Sequence, residues 1–409
     1  MGTGAQPAGG PEWPATLDIP SLLASGWLPV PFREFVLKVH SRCDLSCDYC
    51  YVYTKGDESW RRQPLTMSRT VLDHAAKRIA EHAAAHELGS VRIILHGGEP
   101  LLAGPGLLGY AVGAVRDAAG PEVRVDATVQ SNGTHLDARF LELFREIGVR
   151  VGVSVDGGAA GQDRHRTYAS GRGSHAAVDQ AIRLLAAERY RDVFAGLLCT
   201  IDVRNDPVAT YEALLGYDPP AVDFLLPHGH WAAPPPFRVP GAAGTPYGDW
   251  LAAIFDRWYH APVRETRVRL FTEIMHAILG GESTTESVGL SPVAVAVIET
   301  DGSIEQSDTL KSAYPGAQST GLHIARDAFD DALLLPPIVA RQLRAAALPP
   351  VCHDCAVLRV CGGGQYAHRY RPGTGFRNPS VYCPDLLRLI GHVRSAMAAD
   401  IAAIRARRP

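Results

Sequence analysis

The sequence lacks any apolar run long enough to cross a bilayer. It also lacks a surplus of basic charge. Forty Lys and Arg stand against 43 Asp and Glu, a formal net charge of −3, which argues against the basic face that nucleic-acid binding needs. No internal repeat is present. The first residues, with Gly9, Gly10, Pro11 and Pro14, have neither the basic start nor the apolar core of a secretion signal. The expectation is a cytoplasmic protein with no membrane and no nucleic acid among its partners. Structural disulfides are disfavoured in that compartment.

What is present is cysteine in an uneven distribution. Seven of the eight Cys fall in two clusters and read as metal ligands. Cys199 stands alone in an apolar run and reads as a buried structural thiol. The first cluster is Cys43, Cys47 and Cys50, three thiols within eight residues. A [4Fe–4S] cube has four irons, so three thiolates leave one iron free to bind a small molecule. Zinc with a fourth ligand such as His40 is the competing reading, although the spacing is not the usual pair of pairs. The second cluster is Cys352, Cys355, Cys361 and Cys383. Four thiolates close a cluster or a zinc site completely, and spacing alone does not separate the two.

The 409 residues suggest one large α/β domain with a smaller appended one. Strand-like runs at 34–40, 92–95, 123–129, 150–155, 195–201 and 222–226 alternate with helical patterns at 68–86, 107–119, 137–147, 176–189 and 208–215. This alternation predicts a parallel sheet, best fitted by a partial (β/α)6 barrel with its chemistry at the C-terminal strand ends. The first cysteine cluster follows the first strand. A Pro- and Gly-rich connector covers 227–246, and helical patterns follow at 247–260 and 268–279. A hairpin is predicted over 294–306, turning at Thr300-Asp301-Gly302, and a long helix over 384–407. The expected division is a weakly ordered segment 1–30, a barrel 31–230, a connector with bridging helices 231–285, and a metal-binding domain with the C-terminal helix 286–409.

Several motifs sit at strand ends. His96-Gly97-Gly98-Glu99-Pro100 follows the second strand; its glycines admit close backbone approach, and Glu99 offers acceptors to a cationic amine. Gln130-Ser131-Asn132-Gly133-Thr134 and Ser154-Val155-Asp156-Gly157 follow the third and fourth strands. Ser131, Asn132 and Ser154 can bond a ribose or a carboxylate, and equally form ordinary turns. Asp163-Arg164-His165-Arg166 brings a guanidinium suited to bidentate carboxylate binding. Charges such as Arg164 and Arg172 read as solvated. Gly362 to Arg371 supplies glycines beside Cys361, and His368, Arg369 and Arg371 are either peptide contacts or parts of a wrapping loop.

The Cys-x3-Cys-x2-Cys spacing with Tyr49 before the last Cys resembles the signature of radical S-adenosylmethionine (radical SAM) enzymes. By that resemblance Cys43, Cys47 and Cys50 hold a [4Fe–4S] cluster whose open iron binds SAM, which is cleaved to a 5′-deoxyadenosyl radical. The resemblance puts Tyr49 near the adenine and gives Gly97, Gly98 and Glu99 the amino group of SAM. It gives Ser131, Asn132 and Ser154 the ribose and carboxylate, and pairs Arg166 with the carboxylate. Gln162 stands where the family usually has His.

The C-terminal cysteines resemble a SPASM domain, an appendage of radical SAM peptide maturases. The full pattern has seven Cys. Here Val288–Leu290, Ser307 and Gln365 stand where thiols of an inner cluster are typical. The resemblance therefore implies two [4Fe–4S] clusters in all, one binding SAM and one closed auxiliary cluster. Asp308 falls where such enzymes carry a base, so it is the candidate catalytic residue; a surface Asp is the plain alternative.

Segments such as 198–207, Leu225-Leu226-Pro227-His228 and Asn378-Pro379-Ser380-Val381-Tyr382-Cys383 narrow the likeness to FxsB-type maturases. These join an aromatic ring to a β-carbon in a ribosomally made precursor peptide, forming a three-residue cyclophane. The implied partners are a precursor peptide and an electron donor such as flavodoxin or ferredoxin. The alternatives are a sulfatase-maturating, formylglycine-forming enzyme, and a non-catalytic zinc or iron–sulfur module.

Overall fold

The computed structural model describes residues 12–406. Six strands, β1 (Glu34–His40), β2 (Ser90–Gly97), β3 (Arg124–Ser131), β4 (Val149–Ser154), β5 (Phe194–Thr200) and β6 (Ala221–Leu225), lie side by side in chain order, each parallel to its neighbour. Helices Arg69–Ala85, Pro105–Ala119, Ala138–Glu146, His175–Ala186 and Pro207–Leu215 make the crossovers. Their starts are chemically marked. Ser68, Asp137 and Asp206 each accept the backbone N–H three residues on, at 3.2, 3.1 and 2.7 Å. Pro207 adds a first turn that needs no N–H donor.

Alternation along β1 decides which side chains face the helices. Phe35, Leu37 and Val39 are fully buried in the apolar core; Phe35 packs against Phe329 with the rings tilted, centroids 4.9 Å apart. Lys38 and His40 therefore point to the opposite, inner face. Lys38 is paired in register with His96 of β2.

The sheet runs on beyond six strands. A short β7 (Arg267–Val268) pairs with β6. On the other edge β8 (Val295–Ile298) pairs parallel with β1 and carries β9 (Ser303–Glu305) and β10 (Ser319–His323) antiparallel. The hairpin turn is the one the sequence predicts, with Gly302 at φ +97° and its N–H donated to Glu299 O at 2.8 Å. Docking on β1 satisfies an edge that would otherwise expose unpaired backbone groups.

One apolar core extends from Phe32 to Met397, so the boundaries at 230 and 285 remain a proposed division of the chain. Residues 1–11 of the segment expected to be weakly ordered lie outside the described residues. The rest of that segment departs from the expectation. Ile19–Ala24 is helical with Asp18 as cap. Val30 N–H donates to Gln342 Oε1 at 2.9 Å, and Glu12 Oε1 accepts Gly373 N–H at 2.5 Å. These partners are 312 and 361 residues away in sequence, which is why local composition does not reveal them.

The last helix, Cys383–Ala406, packs on helix Pro246–Tyr259. Asp385 Oδ1 accepts the N–H groups of Tyr247 and Gly248, both at 2.9 Å. A Cβ on Gly248 would lie 2.6 Å from Asp385 O, so only glycine admits this approach. Among the described residues no helix is long and apolar enough to cross a membrane.

Candidate active site

The loop after β1 carries Cys43, Cys47 and Cys50, all free thiols. It is pressed on the end of β2. Gly98 N–H donates to His40 O at 2.9 Å and Glu99 N–H to Arg42 O at 3.0 Å. A Cβ on Gly98 would fall 2.0 Å from Tyr53 Oη and 2.4 Å from Arg42 O. Gly97 holds φ +147° against His40 O. The two glycines thus act through contact between loop and strand end.

Glu99 is fully buried and accepts three hydrogen bonds: Ser131 Oγ at 2.9 Å, Asn132 N–H at 2.7 Å and Leu101 N–H at 3.0 Å. Burial nevertheless pushes its carboxyl up to about 7. Asn132 Nδ2 reaches Cys43 Sγ at 3.6 Å and Asp44 Oδ1 at 2.8 Å, and Thr134 Oγ1 donates to Asp44 Oδ2 at 2.7 Å. Glu99, Ser131, Asn132 and Cys43 therefore form one connected group.

A second group surrounds Asp156. Arg166 Nε donates to Asp156 Oδ2 at 2.9 Å, and the Tyr49 hydroxyl donates to the same oxygen. Arg166 lies over the Tyr49 ring at 5.5 Å. Asp156 Oδ1 accepts Thr200 N–H at 2.9 Å. Gln162 is buried; its Oε1 accepts Asp156 N–H at 2.8 Å and its Nε2 donates to Ser174 Oγ at 3.0 Å. It therefore braces the loop that aims Asp156. Burial pushes the Cys47 thiol up to about 11, partly offset by Arg166. Ser154 stands apart from both groups: its Oγ accepts from Gln130 Nε2 at 3.0 Å.

Asp308 is buried, not on the surface, and belongs to a third group. Lys38 Nζ lies 3.2 Å from Asp308 Oδ1 and 2.9 Å from Glu299 Oε2. Lys311 Nζ lies 2.9 Å from Glu299, 3.2 Å from Glu305 and 3.3 Å from Asp308. Three carboxylates thus share two ammonium groups. The lysines hold Asp308 well below the usual carboxylate range, while burial pushes Glu305 up to about 7. His368 is buried and His96 and His228 are half-buried in the same part of the fold, and desolvation lowers the pKa of each imidazole. His228 meets Tyr51 edge to face at 4.8 Å and lies 5.4 Å from His368.

Cys352, Cys355, Cys361 and Cys383 line one small cavity with Val357, Leu358 and Gly363. Arg369 donates to the carbonyls of Gly362, Gly363 and Gly364 at 2.8, 3.1 and 2.6 Å, so the loop wraps around a guanidinium beside this cavity. Cys199 is buried, as expected.

The fold brings eleven of the sixteen expected site residues into three groups of neighbours and leaves Ser154 on its own; Cys50, Gly97 and Gly98 act through the loop, and Asp308 joins a fourth group of residues that sequence reasoning did not select. Those missed are Lys38, Asp44, Asp156, Glu299, Glu305 and Lys311. A lysine at an inward position of an apolar strand was the available signal for Lys38; Lys311 had none.

Comparison with known proteins gives a consistent result. The family model of the radical SAM superfamily matches residues 37–213. A serine-type anaerobic sulfatase-maturating enzyme of Klebsiella aerogenes is 27% identical over 356 residues, covering 83% of this chain and 81% of its own. The solved structure of native anSMEcpe with bound AdoMet and Cp18Cys peptide superimposes with a TM-score of 0.75 at 20% identity, covering 91% of this chain and 99% of that one. Streptococcus suis SuiB bound to precursor peptide SuiA shares the fold at a TM-score of 0.54 and 12% identity, over 88% of this chain and 77% of its own.

Proposed function

We propose that this chain, a radical SAM enzyme, oxidises a side chain of a peptide or protein substrate at its β-carbon. The observation that carries this reading is the meeting of the three-thiol loop with Glu99 and Asn132 on one side and with Tyr49, Asp156 and Arg166 on the other. The donor set fits SAM and a [4Fe–4S] cluster. Cys43, Cys47 and Cys50 are three free thiols, which leaves one iron of a cube open. Glu99 is a buried carboxyl matched to an ammonium. The two terminal nitrogens of Arg166 have no hydrogen-bond partner among the described residues and suit a carboxylate. When bound, this pair supplies a carbon radical able to take hydrogen from an unactivated C–H bond.

The chain's own residues then have defined tasks. Ser131 and the Asn132 N–H hold the Glu99 oxygens in place. Asp156 orients Arg166 and Tyr49 together. Asp308, held ionised by the two lysines, accepts the proton that leaves the oxidised substrate and passes it to the more basic Glu305. Lys311 bridges the two carboxyls, so they can share that proton. Cys352, Cys355, Cys361 and Cys383 hold a second, closed [4Fe–4S] cluster. A donor such as flavodoxin or ferredoxin delivers the electron.

Likeness to sulfatase-maturating enzymes over most of both chains supports oxidation of Ser or Cys to formylglycine. A second reading, cyclophane formation in a ribosomal precursor peptide, is supported by the missing thiols at 288–290, 307 and 365 and by the FxsB-like segments. The domain with a SAM site leaves the non-catalytic module without support. Mass spectrometry separates the two. The reconstituted enzyme, SAM and a reductant are incubated with a sulfatase-type Ser peptide, and separately co-expressed with a short precursor encoded beside it. Loss of two hydrogens with a hydrazide-reactive aldehyde supports formylglycine. The same loss with no aldehyde, and fragment ions missing between the joined residues, supports a cross-link. No 5′-deoxyadenosine with any substrate would sink both.

A further inference from the structure

A small, partly open cavity lies where the loop 286–293, helix Pro336–Gln342 and the turn 362–369 meet. It is separate from the thiol cavity, and no thiol lines it. Its wall carries three guanidinium groups, Arg341, Arg344 and Arg369, and one carboxylate, Glu286. Its floor is a contact between glycines. Gly362 sits at φ +60°, and a Cβ there would lie 1.6 Å from Gly289 O.

Two polar groups in this wall are buried with a donor hydrogen that no acceptor takes: Arg341 Nη1, and Tyr366 Oη, which faces only the indole N–H of Trp13. Arg341 spends its other nitrogens on Glu286, Nε to Oε1 at 3.3 Å and Nη2 to Oε2 at 3.1 Å. Arg344 Nη1 bonds Glu282 at 3.2 Å at the rim, where an exposed pair contributes little. Arg369 has only glycine carbonyls as hydrogen-bond acceptors among the described residues. Leaving a charged donor buried and unpaired is costly. A phenol and a guanidinium sharing one cavity suit an oxyanion, which accepts from both.

We propose that this cavity is a binding site for an oxyanion, a carboxylate or an inorganic anion of sulfate type. The site is independent of which side-chain oxidation the enzyme performs. It lies beside the auxiliary thiols and takes a ligand that no cysteine could hold.

The test is titration calorimetry of the reconstituted full-length enzyme with sodium sulfate, against sodium chloride at matched ionic strength. Saturable binding of sulfate and none of chloride is expected. Arg344→Gln at the half-exposed rim should weaken sulfate by about tenfold, the scale of one charged hydrogen bond, and leave 5′-deoxyadenosine release unchanged. Arg341→Met should abolish binding. Because that change strands Glu286 and can prevent folding, Arg344→Gln and Tyr366→Phe decide the matter. An N-acetylated peptide with a free C-terminal carboxylate, and its amide, serve as competitors. Displacement by the acid and not the amide identifies a peptide carboxylate as occupant; no displacement by the acid identifies a free inorganic anion. Sulfate that never saturates, or that binds both deciding variants as tightly as wild type, overturns the proposal.

Discussion

Glu99 shows how burial turns a common side chain into a sensitive one. Its carboxyl is pushed up to about 7 by desolvation, against three hydrogen bonds that favour the charged form. Without ligand, a raised acid pKa costs stability once the group ionises. Its contribution is complete below about 4.5 and is lost as pH climbs through about 7. With a cationic amine as ligand the sign reverses, because only the carboxylate attracts it. SAM affinity of the reconstituted enzyme, measured by equilibrium dialysis, should therefore rise several-fold between about pH 6 and 8. Glu99→Gln should weaken binding and flatten that rise.

Asp308 and Lys311 give a contrasting pair. Asp308→Asn removes one charge from a cluster with more carboxylates than lysines, so folding should survive. Product formation should fall at least a hundredfold while 5′-deoxyadenosine release persists. Lys311→Met strands buried carboxylates and should cost about 3–5 kcal/mol in chemical denaturation. A normal denaturation midpoint for Lys311→Met would show that the three carboxylates do not rely on it.

At the scale of elements, the decisive contact joins the end of β2 to the loop after β1. Neither segment places the thiols alone. Gly98→Ala puts a methyl group where Tyr53 Oη and Arg42 O now sit, both backed by the packed loop. The loop must shift, and its three thiols with it. On the proposed two-cluster reading, iron per chain should fall from about eight towards four, with circular dichroism unchanged. The strands, the crossover helices and the hairpin turn were legible because their signals are local: alternation, side-chain caps, and Gly302 in a left-handed turn. The parallel docking of β8 on β1 was not. A strand of four residues carries no mark of which edge it will join. The segment 12–30 was misread for the same reason, since its partners lie in the C-terminal third.

For the whole molecule, the C-terminal thiols come from two places. Cys352 and Cys361 sit on the single-turn helices Pro350–His353 and Leu358–Cys361 with Cys355 between them, whereas Cys383 opens the last helix. That helix is held on Pro246–Tyr259 by Asp385 and by Arg388 to Asp249 at 2.8 Å. Cys383→Ser should thus remove about four irons and leave the apolar core and SAM cleavage intact. A loss of all iron, measured by metal analysis, would mean that the two thiol sets depend on each other.

The sequence by itself determined the kind of chemistry. Three thiols at one strand end and four near the C-terminus are chemical facts that need no coordinates, and strand-ending glycines with Glu99 follow from spacing. Tertiary structure decided which groups share a proton or a charge. Lys38, Glu299, Glu305, Asp308 and Lys311 come from β1, the hairpin and the turn after it, and meet only because β8 docks on β1. A salt bridge is a relation between distant residues, fixed by packing. No local pattern encodes it, and the same holds for the guanidinium-lined cavity beside the last thiols.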